Sequence, residues 1–131
     1  MKLEPLAEWL ECQGFGKRGK DIFVHHMPER ASKGVLMTVP LVGQRTYPDL
    51  PDLRRSRFQV IVRGYDYQEG LEKAWALQEA LTWDDRAEVL NDEIQIVHMF
   101  PRHDPIPFPY SKGDLLEIAV TFDAAYFLCN D

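Results

Sequence analysis

The segment RRSRFQVIVRGYDYQEGLEKAWALQEAL, residues 54–81, does most to narrow what this chain can fold into. From 57 to 63 its residues alternate: Phe58, Val60 and Val62 fall on one face, and Gln59, Ile61 and Arg63 on the other. Successive side chains of a strand point to opposite faces, so a period of two marks a half-buried strand. Gly64 interrupts it. Asp66 then stands three residues before Glu69, the spacing of a capping box, in which each side chain satisfies a free backbone N–H at a helix start. Downstream, Leu71, Ala74, Leu77 and Leu81 recur at helical spacing, leaving Glu69, Glu72, Lys73 and Glu79 mainly for solvent. Strand, turn and helix are built to pack, and none of these residues is chemical machinery. The segment points to assembly rather than catalysis.

The flanks extend the pattern. Leu3, Leu6, Ala7 and Leu10 predict an amphipathic helix over 2–13, with Pro5 harmless in a first turn whose N–H groups are free anyway, and with Gly14 as a left-handed stop. Short strands are expected over 21–25 and 35–41, the second ending at an edge because of Pro40. Gly43, Pro48 and Pro51 make 42–53 a loop. After Trp83 an acidic linker leads to a strand over 94–100, in which Ile94, Ile96, His98 and Phe100 alternate with Gln95, Val97 and Met99. Pro101, Pro105, Pro107 and Pro109 exclude a central strand and predict an extended, polyproline-like excursion. In the last strand Leu116, Ile118, Val120 and Phe122 face one way, and Glu117, Ala119, Thr121 and Asp123 the other. The order α-β-β-β-α-β-β and the short connections predict an α+β fold, a mainly antiparallel sheet with two helices packed on one face. At 131 residues the chain has the size of a single domain spanning 1–131.

Several functions fit poorly. The net charge of −6 opposes the excess of Lys and Arg that nucleic-acid binders carry. No apolar run approaches the roughly 20 residues of a membrane span, and Glu4, Glu8 and Glu11 interrupt any secretory signal, so synthesis and assembly in the cytoplasm are expected, with no membrane partner. Cys12 and Cys129, one near each end, read as small buried apolar residues rather than a disulfide. GFGKRGKD, residues 14–21, fits both GxGxxG and GxxxxGK. Those motifs need a strand before the glycines and a helix after them, to supply the anion site; here the helix comes first, and Asp21 stands where magnesium needs Ser or Thr. His25 and His26 would point to opposite faces of a strand, His98 falls in an apolar register, and His103 lies among the prolines, so no metal site is expected. Ser32, Ser56 and Ser111 lie in no nucleophile elbow. No enzyme activity, cofactor or catalytic residue is expected.

Two features speak of contact. Arg54, Arg55, Arg57 and Arg63 form a basic group, which reads either as a solvated strand face or as one half of an interface. Asp84, Asp85 and Glu88, with Asp92 and Glu93, form an acidic counterpart. A head-to-tail contact joins two different patches of one molecule and, when the rotation closes, makes a ring, with opposite charges setting its register. The stretches 42–53 and 101–113 are long for so small a domain, and Tyr47, Phe108 and Tyr110 give them aromatic anchors of the kind that carry binding energy.

With these residues laid out, the chain resembles the minor capsid and tail-completion proteins of long-tailed bacteriophages, the group that includes tail terminators. The resemblance rests on LAEWLECQGFG, on DIFVHHMPE and above all on YPDLPDLRRSRFQVIVRGYDYQEGLEKAWALQEAL. A pattern like RFQV-x-VRG-x-DY, followed by a helix with inward alanines, is met by Arg57, Phe58, Gln59, Val60, Val62, Arg63, Gly64, Asp66, Tyr67 and Ala74. The likeness implies a small α+β domain forming a homo-oligomeric ring, expected to be a hexamer, on the end of the tail tube. It implies the major tail tube protein and the head–tail connector or stopper as partners, with DNA passing through the lumen without specific binding. No catalytic residues come with it. The alternatives are another head–tail connector component, such as a stopper or head completion protein, or a small intracellular nucleotide-binding enzyme using residues 14–20.

Overall fold

The alternation that begins at Arg57 reaches back further than its pattern reveals, into a central strand of 14 residues, β4, Leu50–Arg63. The computed structural model describes residues 3–26, 33–39, 45–47, 50–83, 88–90, 94–109 and 116–128, with the backbone alone at 45–47, 50–52, 88–90, 108–109, 116 and 128. Ahead of β4 come α1 (Glu4–Cys12), β1 (Ile22–Val24), β2 (Gly34–Thr38) and β3 (Arg45–Tyr47); after it come α2 (Tyr67–Ala80), β5 (Glu88–Leu90), β6 (Ile94–Pro101), β7 (Ile106–Pro109) and β8 (Leu116–Leu128). The expected order therefore gains β3, β5 and β7. Each has only three or four residues, too few to show a period.

The eight strands form one sheet in the order β1-β2-β4-β8-β6-β5, with β3 added on β4 and β7 on β8. Long β4 and β8 lie antiparallel at the centre, paired from Leu53↔Phe127 to Arg63↔Glu117. Each takes two short strands along its other edge: β2 and β3 on β4, β6 and β7 on β8. The β1–β2 pair is parallel and the other pairs are antiparallel, so the sheet is mixed but mainly antiparallel.

Two corrections concern loops. Within 42–53, β3 and the start of β4 make a hairpin in place of the expected loop. Pro51 precedes the ladder to β8, so its missing N–H costs that ladder nothing. Ile106–Pro109 is likewise a strand rather than a polyproline excursion. It lies on the edge, with β8 as its one partner among the described residues, and that is where prolines are tolerated in a sheet.

Both helices pack on one face, closing the main core with Val35, Met37, Phe58, Val60, Val62, Ile118, Val120 and Phe122, and a second, small cluster joins Phe23, Leu36 and Ile61. Leu3, Leu6, Ala7 and Leu10 of the first helix segment are fully buried, as their spacing predicts. At the end of α1, Gly14 has φ +89°, Phe15 N–H donates to Leu10 O and Gly14 N–H to Glu11 O, which together make a Schellman cap. At the start of α2, Asp66 accepts from the Glu69 backbone N–H at 2.8 Å. The inward stripe of α2 is Gly70, Ala74, Leu77 and Leu81, and the expected Leu71 packs against the core half-buried at its border. A Cβ on Gly70 would lie 3.1 Å from Ile118 Cδ1 and 3.2 Å from Tyr65 Cβ, so the missing side chain sets how closely α2 approaches the sheet.

The strand β6 changes face midway. Ile94 and Ile96 are buried, but the register shifts between Ile96 and His98, and Met99 enters the core while Phe100 turns outward. A bulge adds one residue to one strand, which reverses every later side chain. The expected apolar register of His98 and Phe100 is overturned for that reason.

Candidate functional site

The face of the sheet turned away from the helices carries the odd-numbered residues of β4 and β8, because their even-numbered neighbours fill the core. Cross-strand register turns these residues into rows. Arg45, Arg55, Ala125 and His98 stand abreast across β3, β4, β8 and β6. The next row holds Arg57, Asp123 and Phe100, and a later one Ile61, Ala119 and Ile106. Asp123 is shared, 3.4 Å from Arg57 Nε and 3.7 Å from Arg102 Nε. Arg55 is exposed and has no ion-pair partner among the described residues. Two guanidinium groups therefore share one carboxylate, and Arg55 stands in the adjoining row, leaving a local positive excess.

The basic group expected from sequence is only partly assembled here. Arg55, Arg57 and Arg63 share the outer face, whereas Arg54 lies on the helix side, donates to Leu53 O at 3.1 Å and sits near Tyr126. Arg63 is spoken for: its Nε and Nη2 each reach Glu117 Oε1 at 3.0 Å, in a largely covered cross-strand pair. Adjacent basic residues such as Arg54 and Arg55 look alike in a sequence. Strand geometry sends neighbours to opposite faces.

The outer side of α2 is the second distinctive surface. Tyr67, Leu71 and Trp75, at i, i+4 and i+8, lie with Gln68, Glu72, Ala76 and Glu79 along a shallow apolar groove. Glu72 and Glu79 are exposed, with no cation paired to them among the described residues. Tyr67 and Trp75 are 56% and 45% exposed. Sequence reasoning missed them. Their signal is a second apolar line at i/i+4 spacing, set off from the buried stripe.

Residues 14–21 form a loop bound up in its own contacts. Lys17 N–H donates to Asp21 Oδ2 at 3.0 Å and Arg18 N–H to Glu11 Oε2 at 2.7 Å, while Arg18 Nη1 pairs with Glu8. A phosphate cradle requires free amides, and here carboxylates hold two of them. His25 and His26 are exposed just beyond β1, with His25 at φ +65°. Cys12 is exposed, contrary to the expected burial, because it ends α1 off the buried stripe; Cys129 lies outside the described residues. Among the described residues, no group of three or more His, Cys, Asp or Glu could hold a metal, and no helix is long and apolar enough to cross a membrane.

Of the remaining expected contact residues, Tyr47 lies on β3, Glu88 on β5 opposite Ile96, and Phe108 on β7 opposite Glu117. Asp84, Asp85 and Tyr110, with Asp92 and Glu93, lie outside the described residues.

The burial of Tyr65 raises its phenol pKa above the usual value, and the nearby carboxylates of Asp21 and Glu69 push the same way. Lys33 and Lys73 sit 4.7 Å and 5.4 Å from its ring centroid. Tyr126 is raised as well, mainly by burial, with Arg54 opposing.

No curated protein sequence matches the chain. Among solved structures, a chain from the virion of a native gene transfer agent particle shares the fold, with a TM-score of 0.68 at 15% identity, covering 95% of this chain and 94% of that one. The family model described as bacteriophage tail terminator protein matches residues 9–124, from the last turn of α1 through α2 and into β8. The chain belongs to the bacteriophage tail terminator protein family and is thereby a structural component of the phage virion.

Proposed function

We propose that this protein caps the tail tube as a homo-oligomeric ring of six copies, ends tube growth, and presents the joining surface to the head connector. The observation that carries this reading is the family match across residues 9–124. Physical considerations support it. A compact chain of 131 residues has a diameter of about 36 Å, and six in a ring leave a hole of about the same width, enough for a DNA duplex. A net charge of −6 keeps a passing polyanion from adhering. The role involves no chemistry, and the carboxylate-bound amides of the 14–21 loop argue against the nucleotide-binding alternative. Arg55 and Arg57 serve as one side of a head-to-tail contact between copies; Asp84, Asp85 and Glu88 belong to the opposing side, and Tyr47, Phe108 and Tyr110 to arms that reach the tube and connector proteins.

The test is assembly with the gene deleted. Tails built without this protein should grow past their normal length and fail to join heads, and supplying it in trans should restore both. Tails of normal length that join heads without it would refute the proposal.

A further inference from the structure

The four large apolar side chains left exposed among the described residues are Tyr67, Trp75, Phe100 and Ile106. They divide evenly between the two outward faces. Tyr67 and Trp75 stand on the outer side of α2 with Glu72 and Glu79, which have no cation paired to them among the described residues, while Phe100 and Ile106 stand on the outer sheet face, Phe100 in the row of Arg57 and Asp123 with Arg55 in the next. One face is apolar with an acidic rim, the other apolar with a basic rim. Neither is self-complementary, since pairing a face with its own copy would oppose like charges.

We propose that these two faces bind each other: the outer side of α2 of one copy docks on the Arg55–Phe100 region of the sheet of the next. This deepens the ring reading and rests on it. It names an acceptor for Arg55 and places acidic residues of the opposing side on α2. Because the contact joins unlike patches it is heterologous, the class that generates rings when its rotation closes. Trp75, an exposed aromatic next to carboxylates, is the anchor, and an Arg guanidinium stacking on its ring is the contact expected at its centre. Glu72 and Glu79 fix register by meeting the arginines around Asp123, where positive charge exceeds negative.

The experiment uses two charge-reversed full-length proteins. One carries Glu72→Arg with Glu79→Arg, making both faces positive; the other carries Arg55→Glu with Arg57→Glu, making both negative. Each should fail to form rings alone, with the assembled fraction at least about tenfold below wild type, because like charges then oppose each other at every contact. An equimolar mixture should recover rings of alternating copies, since every contact then pairs opposite signs. Circular dichroism and melting of each variant establish that it is folded. Rings from either variant alone at wild-type levels, or no rings from the mixture of two folded variants, would overturn the pairing. Trp75→Glu supplies an independent arm: wild-type rings that lose only tube binding would place α2 against the tube protein and overturn the proposal as well. These failures are distinct from that of the ring itself, which wild-type protein alone decides: if it forms no ring and caps no tube, the underlying reading falls.

Discussion

Individual side chains hold the turns of this protein, and their effects can be separated. Asp66 caps α2 by accepting the Glu69 backbone N–H, so the cap uses the backbone of Glu69 and not its carboxylate. Asp66→Ala should therefore cost about 1 kcal/mol, while Glu69→Ala should cost only a few tenths, the scale of an exposed ion pair such as its contact with Lys33. Urea titration of the two variants checks the contrast. Gly70 is a steric constraint of another kind: Gly70→Val should destabilise by about 1–3 kcal/mol through overpacking against Tyr65 and Ile118. The tyrosines add a pH dependence. The folded protein holds the phenol protons of Tyr65 and Tyr126 more tightly than the unfolded chain does, so their contribution is whole below the ordinary tyrosine value of about 10 and is lost as pH rises through the higher folded values. The melting temperature should be flat toward pH 9 and fall above about 10, and the Tyr65→Phe, Tyr126→Phe double variant should fall less.

At the scale of elements, the parts that were legible in the sequence are those with a long period. β4, β8 and both helices declare themselves by alternation or helical spacing over seven or more residues, and Gly14 and Asp66 mark helix ends by chemistry alone. The short strands β3, β5 and β7 give no such signal; they exist because long neighbours offer them an edge. The bulge in β6 is equally hidden, since a one-residue register shift depends on what β8 presents, with Ile96 opposite Tyr126 and His98 opposite Ala125. It makes a specific forecast. Met99→Ala should cost about 2–5 kcal/mol as a core truncation, whereas Phe100→Ala should change stability by less than about 1 kcal/mol. The strict alternation read from sequence predicts the reverse, and thermal denaturation of both variants decides. The candidate site was legible in kind but not in arrangement. The arginines stood out by charge, but only the sheet shows Arg54 on the other side and Arg63 held by Glu117, and only packing shows that Trp75 is left outside.

For the whole molecule, the architecture separates stability from assembly. One layer of contacts, helices against the even-numbered residues of β4 and β8 and against Val35, Met37 and Met99, closes the core, and the Phe58–Phe122 stack at 5.2 Å lies within it. Each outward face keeps large apolar side chains exposed, Tyr67 and Trp75 on α2 and Phe100 and Ile106 on the sheet. A chain so divided tolerates reversal of Arg55 or Glu72 without unfolding, because surface changes away from caps and cores shift stability by about 0.5 kcal/mol or less. Assembly is where such changes should register. The direct test of the account is electron microscopy of tail tubes incubated with the purified protein. The account predicts a ring of six subunits seated on one end of each tube, whose addition stops further lengthening by tube protein. Tubes whose ends stay bare, and which keep growing in a molar excess of folded protein, would contradict it.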